Sequence, residues 1–126
     1  MKIQAIDKSK LAKTDEEYLA LISSDADWIA RSSDDLQTLR DTKEGPLAKL
    51  SEESYYEFVN SLMFSQGGLA TANCRPVMNE LTLKEVGDLF GRFGIDLGLA
   101  ADHEGFKCVS LHNCKVMTDY ICMSNC

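Results

Sequence analysis

The chain has 126 residues, 13 of them basic and 20 acidic, for a formal net charge of -7. Apolar residues at 44% and charged residues at 26% exclude collagen-like, coiled-coil and fully disordered classes. The acidic balance disfavours a nucleic-acid partner, because phosphates repel it, and no run of about 18 apolar residues is present to span a membrane.

Residues 1–13 mix charged and apolar side chains without a helical stripe and are expected to form a mobile arm. Thr14 and Glu17 have the hydroxyl-to-carboxylate spacing of a capping box, and Tyr18, Leu19, Leu21 and Ile22 give the following helix its apolar face. Asp25 and Asp27 are placed to restart a helix anchored by Trp28 and Ile29. Leu36 and Leu39 belong to a short helix capped by Ser33 or Asp34. Gly45-Pro46 breaks the chain. Ser51 caps the clearest helix, lined by Tyr55, Phe58, Val59, Leu62 and Met63 and stopped by Gln66-Gly67-Gly68. Residues 69–79, with Pro76, read as a connection. Thr82 and Glu85 form a second capping box, opening a helix on Leu83, Val86, Leu89, Phe90 and Phe93 that ends at Gly94. Gly87 and Gly91 lie within it, and since each costs about 1 kcal/mol against Ala, they mark either a close helix or ligand approach or merely tolerated glycines.

The expected architecture is therefore mainly α: a small helical bundle followed by an irregular or weakly β cysteine-rich C-terminal tail. Its parts are the arm at 1–13, a helical domain at 14–94, a glycine-containing linker at 95–105 and the tail at 106–126.

Four of the five cysteines, Cys108, Cys114, Cys122 and Cys126, fall in the last 19 residues; the fifth is Cys74. Three chemistries suit this segregation. Thiolates are soft ligands, so Cys108, Cys114, Cys122 and Cys126, with His112 between the first two, offer a zinc or copper site, although paired C-x2-C knuckles are absent. Four is also an even number, as disulfides need. The start of the chain has no apolar stretch of signal-peptide length. A cytoplasmic location is expected from this, where disulfides are not the default. Lastly, the tail is a candidate substrate. Cysteine thiolates add to dehydrated Ser or Thr, and Ser110, Thr118 and Ser124 stand beside them, three hydroxyls against four thiols.

An acidic helical N-terminal part, a glycine-broken joint and a short Cys/Ser/Thr-bearing end together resemble the leader-plus-core layout of ribosomally made, post-translationally modified peptide precursors. The segment EEYLALISSDADWIAR is similar to the long leaders of the nitrogenase-associated and nitrile-hydratase-derived types. The resemblance implies a precursor rather than an enzyme. Its helical region, through Tyr18, Leu19, Ile22 and Trp28, is read by a modifying enzyme. Its tail is modified at Cys108, Cys114, Cys122, Cys126, Ser110, Thr118 and Ser124. A leader protease and an exporter follow as partners, with the processed tail exported and no cofactor in the precursor itself. Gly67-Gly68 resembles a leader-peptidase site, but about half the chain follows it, so the expected cut lies near Gly105. The competing readings are a small zinc or copper module and a helical interaction module whose cysteines are incidental. A Cys74 nucleophile served by His103 or His112 ranks below all of these, since nothing in the sequence places a base beside it.

Overall fold

A computed structural model describes residues 4–43 and 45–126; residues 1–3 of the expected arm lie outside the described residues. The helices are α1 (Asp15–Ile22), α2 (Ser33–Asp41), α3 (Pro46–Lys49), α4 (Glu52–Ser61), α5 (Arg75–Glu80), α6 (Leu83–Arg92) and α7 (Leu97–Asp102). The strands are β1 (Met63–Ser65), β2 (Gly68–Asn73), β3 (Glu104–Ser110) and β4 (Asn113–Cys122), in one antiparallel sheet of order β1-β2-β4-β3.

Local chemistry sets the helix starts. Thr14, Ser32, Ser51 and Thr82 each accept a backbone N–H three residues on, satisfying a donor that the helix leaves unpaired. At Thr82 the reciprocal bond from Glu85 completes the capping box. At Thr14 the partner carboxylate, Glu17, reaches one residue further back, to the Lys13 N–H at 2.9 Å. The second helix is capped by Ser32 rather than by Ser33 or Asp34.

Asp25 and Asp27 do not restart a helix. Residues 23–32 instead wrap around the Arg31 guanidinium, which donates to the carbonyls of Ile22, Ser24, Ala26 and Gly67 at 2.6–3.0 Å. Those carbonyls are paired without helical hydrogen bonds.

The fold class expected from the sequence is overturned. Residues 106–126 are not an irregular tail on a helical bundle; they carry most of β3 and all of β4, and β4 lies inside the sheet between β2 and β3. Two features hid this. Gln66 and Gly67 stop no helix, since α4 already ends at Ser61; with φ of 56° and 88° they form the tight turn joining β1 to β2. And β2 is buried on both faces at Leu69, Ala70, Thr71 and Ala72, so it shows no alternation of apolar and polar residues.

One core joins helices and sheet. Tyr18, Leu36, Phe58, Val77, Leu89, Phe93, Ile95 and Met123 are all buried in it. Ala12 is also buried. It accepts from Asp96 N and donates to Gly94 O, which docks residues near the chain start onto the end of α6.

Candidate functional site: a doubly stapled hairpin

The β3–β4 ribbon pairs Phe106 with Val116, Lys107 with Lys115 and Cys108 with Cys114. Lower down, Glu104 pairs with Ile121. One residue of β3 therefore faces four of β4, residues 117–120, and Asp119 within that bulge has φ 72°. The bulge folds β4 back on itself. A straight strand would hold residues eight apart at about 26 Å; the Cα atoms of Cys114 and Cys122 are 6.1 Å apart and their sulfurs are bonded.

The ribbon's turn meets the C-terminus. His112, at φ 61°, donates its backbone N–H to Cys126 O at 2.8 Å, and Cys108 is disulfide-bonded to Cys126 with Cα atoms 5.8 Å apart. Thr71 ties the ribbon to the sheet: its buried hydroxyl donates to Ile121 O at 2.5 Å and accepts from Cys108 N at 3.2 Å. Asn125, wholly buried, donates to Ser65 O and Gly68 O across the turn between β1 and β2.

Cys108, Cys122 and Cys126 are buried against Ala70, whose single methyl leaves room for them. Their three sulfurs lie within 4.8 Å of one another. Cys114 is exposed. All four cysteines were candidate metal ligands, and the geometry brings three of them together, Cys108, Cys122 and Cys126, with Cys114 bonded to Cys122. As disulfides they present no thiolate, which is the form a soft metal binds. His112, the remaining candidate, is exposed on the turn.

Ser110, Thr118 and Ser124 are exposed. Tyr18, Ile22 and Trp28, read from the sequence as enzyme-recognition residues, are buried, and Leu19 is half-buried against the core. Tyr18 donates its hydroxyl to Leu69 O at 2.6 Å, and burial pushes its pKa up. Cys74 stays free and partly buried; burial, with Glu104 and Asp119 nearby, raises its pKa to about 12, so its thiol remains protonated and unreactive at neutral pH. His103 lies instead against Asp15, 2.6 Å from its carboxylate.

What sequence reasoning missed is the outer surface of the ribbon. Phe106, Val109, Leu111, Val116 and Met117 are 42–79% exposed. A signal for the hairpin was present: Phe106-Lys107-Cys108 and Cys114-Lys115-Val116 mirror each other about residue 111, the order two antiparallel strands need to pair like with like.

Comparison of the chain with protein-family models, with curated proteins and with solved structures finds no match. Among the described residues, no helix is long and apolar enough to cross a membrane.

Proposed function

We propose that the protein is a disulfide-stapled protein-binding module that works through the β3–β4 ribbon, in surroundings oxidising enough to keep both disulfides. The observation that carries this is a rigidly anchored ribbon holding five large apolar side chains in water. Large apolar side chains exposed along one ribbon favour a docking role, and anchoring in advance lowers the entropy lost on binding. The partner's chemistry follows from Lys107 and Lys115. Directly opposed like charges destabilise a sheet, and a partner carboxylate seated between them offsets that cost. The partner is therefore a protein surface combining an apolar patch with acidic groups.

The precursor reading stands as the second one, because Ser110, Thr118 and Ser124 are all accessible to a modifying enzyme. It would keep the chain in the cytoplasm until its tail is exported, whereas the binding-module reading needs an oxidising compartment. It is less favoured, since releasing residues 106–126 removes β4 from beside β2 and takes Met123 and Asn125 out of the core.

Intact mass of the protein from its native host separates the two. The binding module is expected to be four hydrogens lighter than the reduced chain, regained on reduction, with Cys74 as the free cysteine. Loss of water at the tail hydroxyls, or release of the tail, would favour the precursor. A photo-crosslinker at position 111 then identifies the partner. Val116→Asp is expected to abolish that crosslink without changing the far-ultraviolet circular dichroism; an undiminished crosslink removes the ribbon from the interface.

A further inference from the structure

Two structural disulfides have no need to touch. Here the sulfur of Cys122, already bonded to Cys114, lies within 4.8 Å of both sulfurs of the Cys108–Cys126 bridge. Access is graded as well. Cys114 is exposed, whereas Cys122, Cys108 and Cys126 are only 3%, 2% and 4% exposed. An external thiol therefore reaches one bridge at one end and cannot reach the other directly.

We propose that the two disulfides form an exchange centre for an external dithiol, entered at Cys114 and handed to the buried bridge by Cys122. This rests on the pairings described above and is independent of what the ribbon binds. A thiolate of the dithiol attacks Cys114 Sγ, breaking the Cys114–Cys122 bond and expelling Cys122 as a thiolate. The dithiol's second thiol resolves the mixed disulfide, leaving as a cyclic or protein disulfide and returning Cys114 as a thiol. The Cys122 thiolate then attacks the adjacent Cys108–Cys126 bridge. A bond forms from Cys122 to Cys108 or to Cys126, and the displaced sulfur leaves as a thiolate that takes a proton from solvent. Two electrons pass from the dithiol, one disulfide is lost in total, and the surviving disulfide has changed partners.

The geometry favours this hand-over because the attacking sulfur is held beside its target by β4, so the step is intramolecular and needs no diffusion. The bulge at 117–120 creates that placement, since it folds the exposed Cys114 end of β4 back to Cys122, which is buried with Cys108 and Cys126 against Ala70. The chemical consequence is a change in the ribbon. In the starting state Cys108 clamps the ribbon to the C-terminus; after exchange to Cys122–Cys126 that clamp is gone, and Cys108 is held by its Thr71 hydrogen bond and the β3–β4 ladder.

The test uses the full-length protein carrying Cys74→Ser, treated with limiting dithiothreitol, quenched in acid and alkylated. Trypsin cuts after Lys107 and Lys115, so Cys108 and Cys114 fall in one peptide and Cys122 and Cys126 in the next; fragmentation assigns each label. The expected first pair of free thiols is Cys114 with either Cys108 or Cys126. Cys114 with Cys122 would mean no hand-over, Cys108 with Cys126 would mean direct attack on the buried bridge, and either overturns the proposal. Cys114→Ser supplies a second measurement, for it leaves Cys122 permanently unpaired by its native partner. Exchange predicts alkylation spread onto Cys108 or Cys126, and labelling confined to Cys122 counts against it. If all of the tail cysteines are already free in the native protein, the binding-module reading falls with this one; if they are bridged and the order of release is wrong, the exchange centre alone falls.

Discussion

Arg31 shows how one side chain stands in for secondary structure. Its five N–H donors form a planar fork, and two of its nitrogens serve four carbonyls, three from residues 22–26 and one from the turn at Gly67. Lysine carries the charge but lacks the fork. Arg31→Lys is expected to lower stability by about 1.5–3 kcal/mol, the worth of a charge-assisted hydrogen bond or two, as measured by urea unfolding; a loss below about 0.5 kcal/mol, the size of an ordinary surface change, would mean that the loop closes without the guanidinium. Glu85 makes a second residue-scale case. Its carboxylate accepts from Lys49 and from Thr82, and with the Lys49 ammonium its largest influence the pKa falls from the ordinary 4.5 to about 2. A group depressed in the folded state contributes stability above its unfolded pKa and loses it as pH drops through the folded one. Stability is therefore expected to fall between about pH 4.5 and 2. Glu80, held low by Ser54 and Ser51, acts in the same direction. In Glu85→Gln the slope of stability against pH over that window should be shallower, and an unchanged slope would assign the acid sensitivity elsewhere.

At the scale of elements, glycines separate what is tolerated from what is required. In α6, a Cβ on Gly87 would meet Leu97 Cδ2 at 3.9 Å, an ordinary contact, and one on Gly91 would meet Ile6 and Leu11 at 3.6–3.7 Å. Neither site demands glycine for space, so Gly87→Ala is expected to raise stability by about 1 kcal/mol through helix propensity alone. Gly68 is the opposite. Its Cβ would overlap Ile22 Cγ2 and lie 3.0 Å from the Tyr18 hydroxyl, where β2 passes over α1. Gly68→Ala should cost about 1–3 kcal/mol by overpacking. Paired thermal melts check both signs, and a stabilised Gly68→Ala would contradict the close packing of β2 on α1. The helix signals in the sequence were legible because caps and apolar stripes act within one or two turns, as at Thr82 with Glu85 and at Ser51 with Tyr55 and Phe58. The strands were less so. Gly67-Gly68 suits a helix stop and a hairpin turn equally, and only the partner strand decides between them. The candidate site was half legible: cysteine segregation marked the right segment, but Tyr18, Ile22 and Trp28, apolar at helical spacing, went to the core where burial favours them.

For the whole molecule, the C-terminal segment is structural as well as exposed. Removing the buried bridge by Cys108→Ala with Cys126→Ala is expected to cost about 3 kcal/mol, the entropy of a loop near this length, and to lower the melting temperature by on the order of 10 °C. The measurement is a thermal melt under oxidising conditions, and an unchanged midpoint would show that hydrogen bonds from Thr71 and His112 suffice to hold the ribbon. By itself the sequence determined the capped starts of α1, α4 and α6, the acidic charge balance and the concentration of thiols near one end. Each of these depends on neighbours within a few residues. The tertiary structure decided that β4 enters the sheet beside β2, fifty residues away in the chain at the Thr71–Ile121 hydrogen bond, and that the bulge at 117–120 folds Cys114 back to Cys122, whose sulfur lies with those of Cys108 and Cys126 over Ala70. Strand partners and disulfide pairings are contacts between distant segments. Their energies arise only when the chain has folded, so no local pattern of residues can specify them alone.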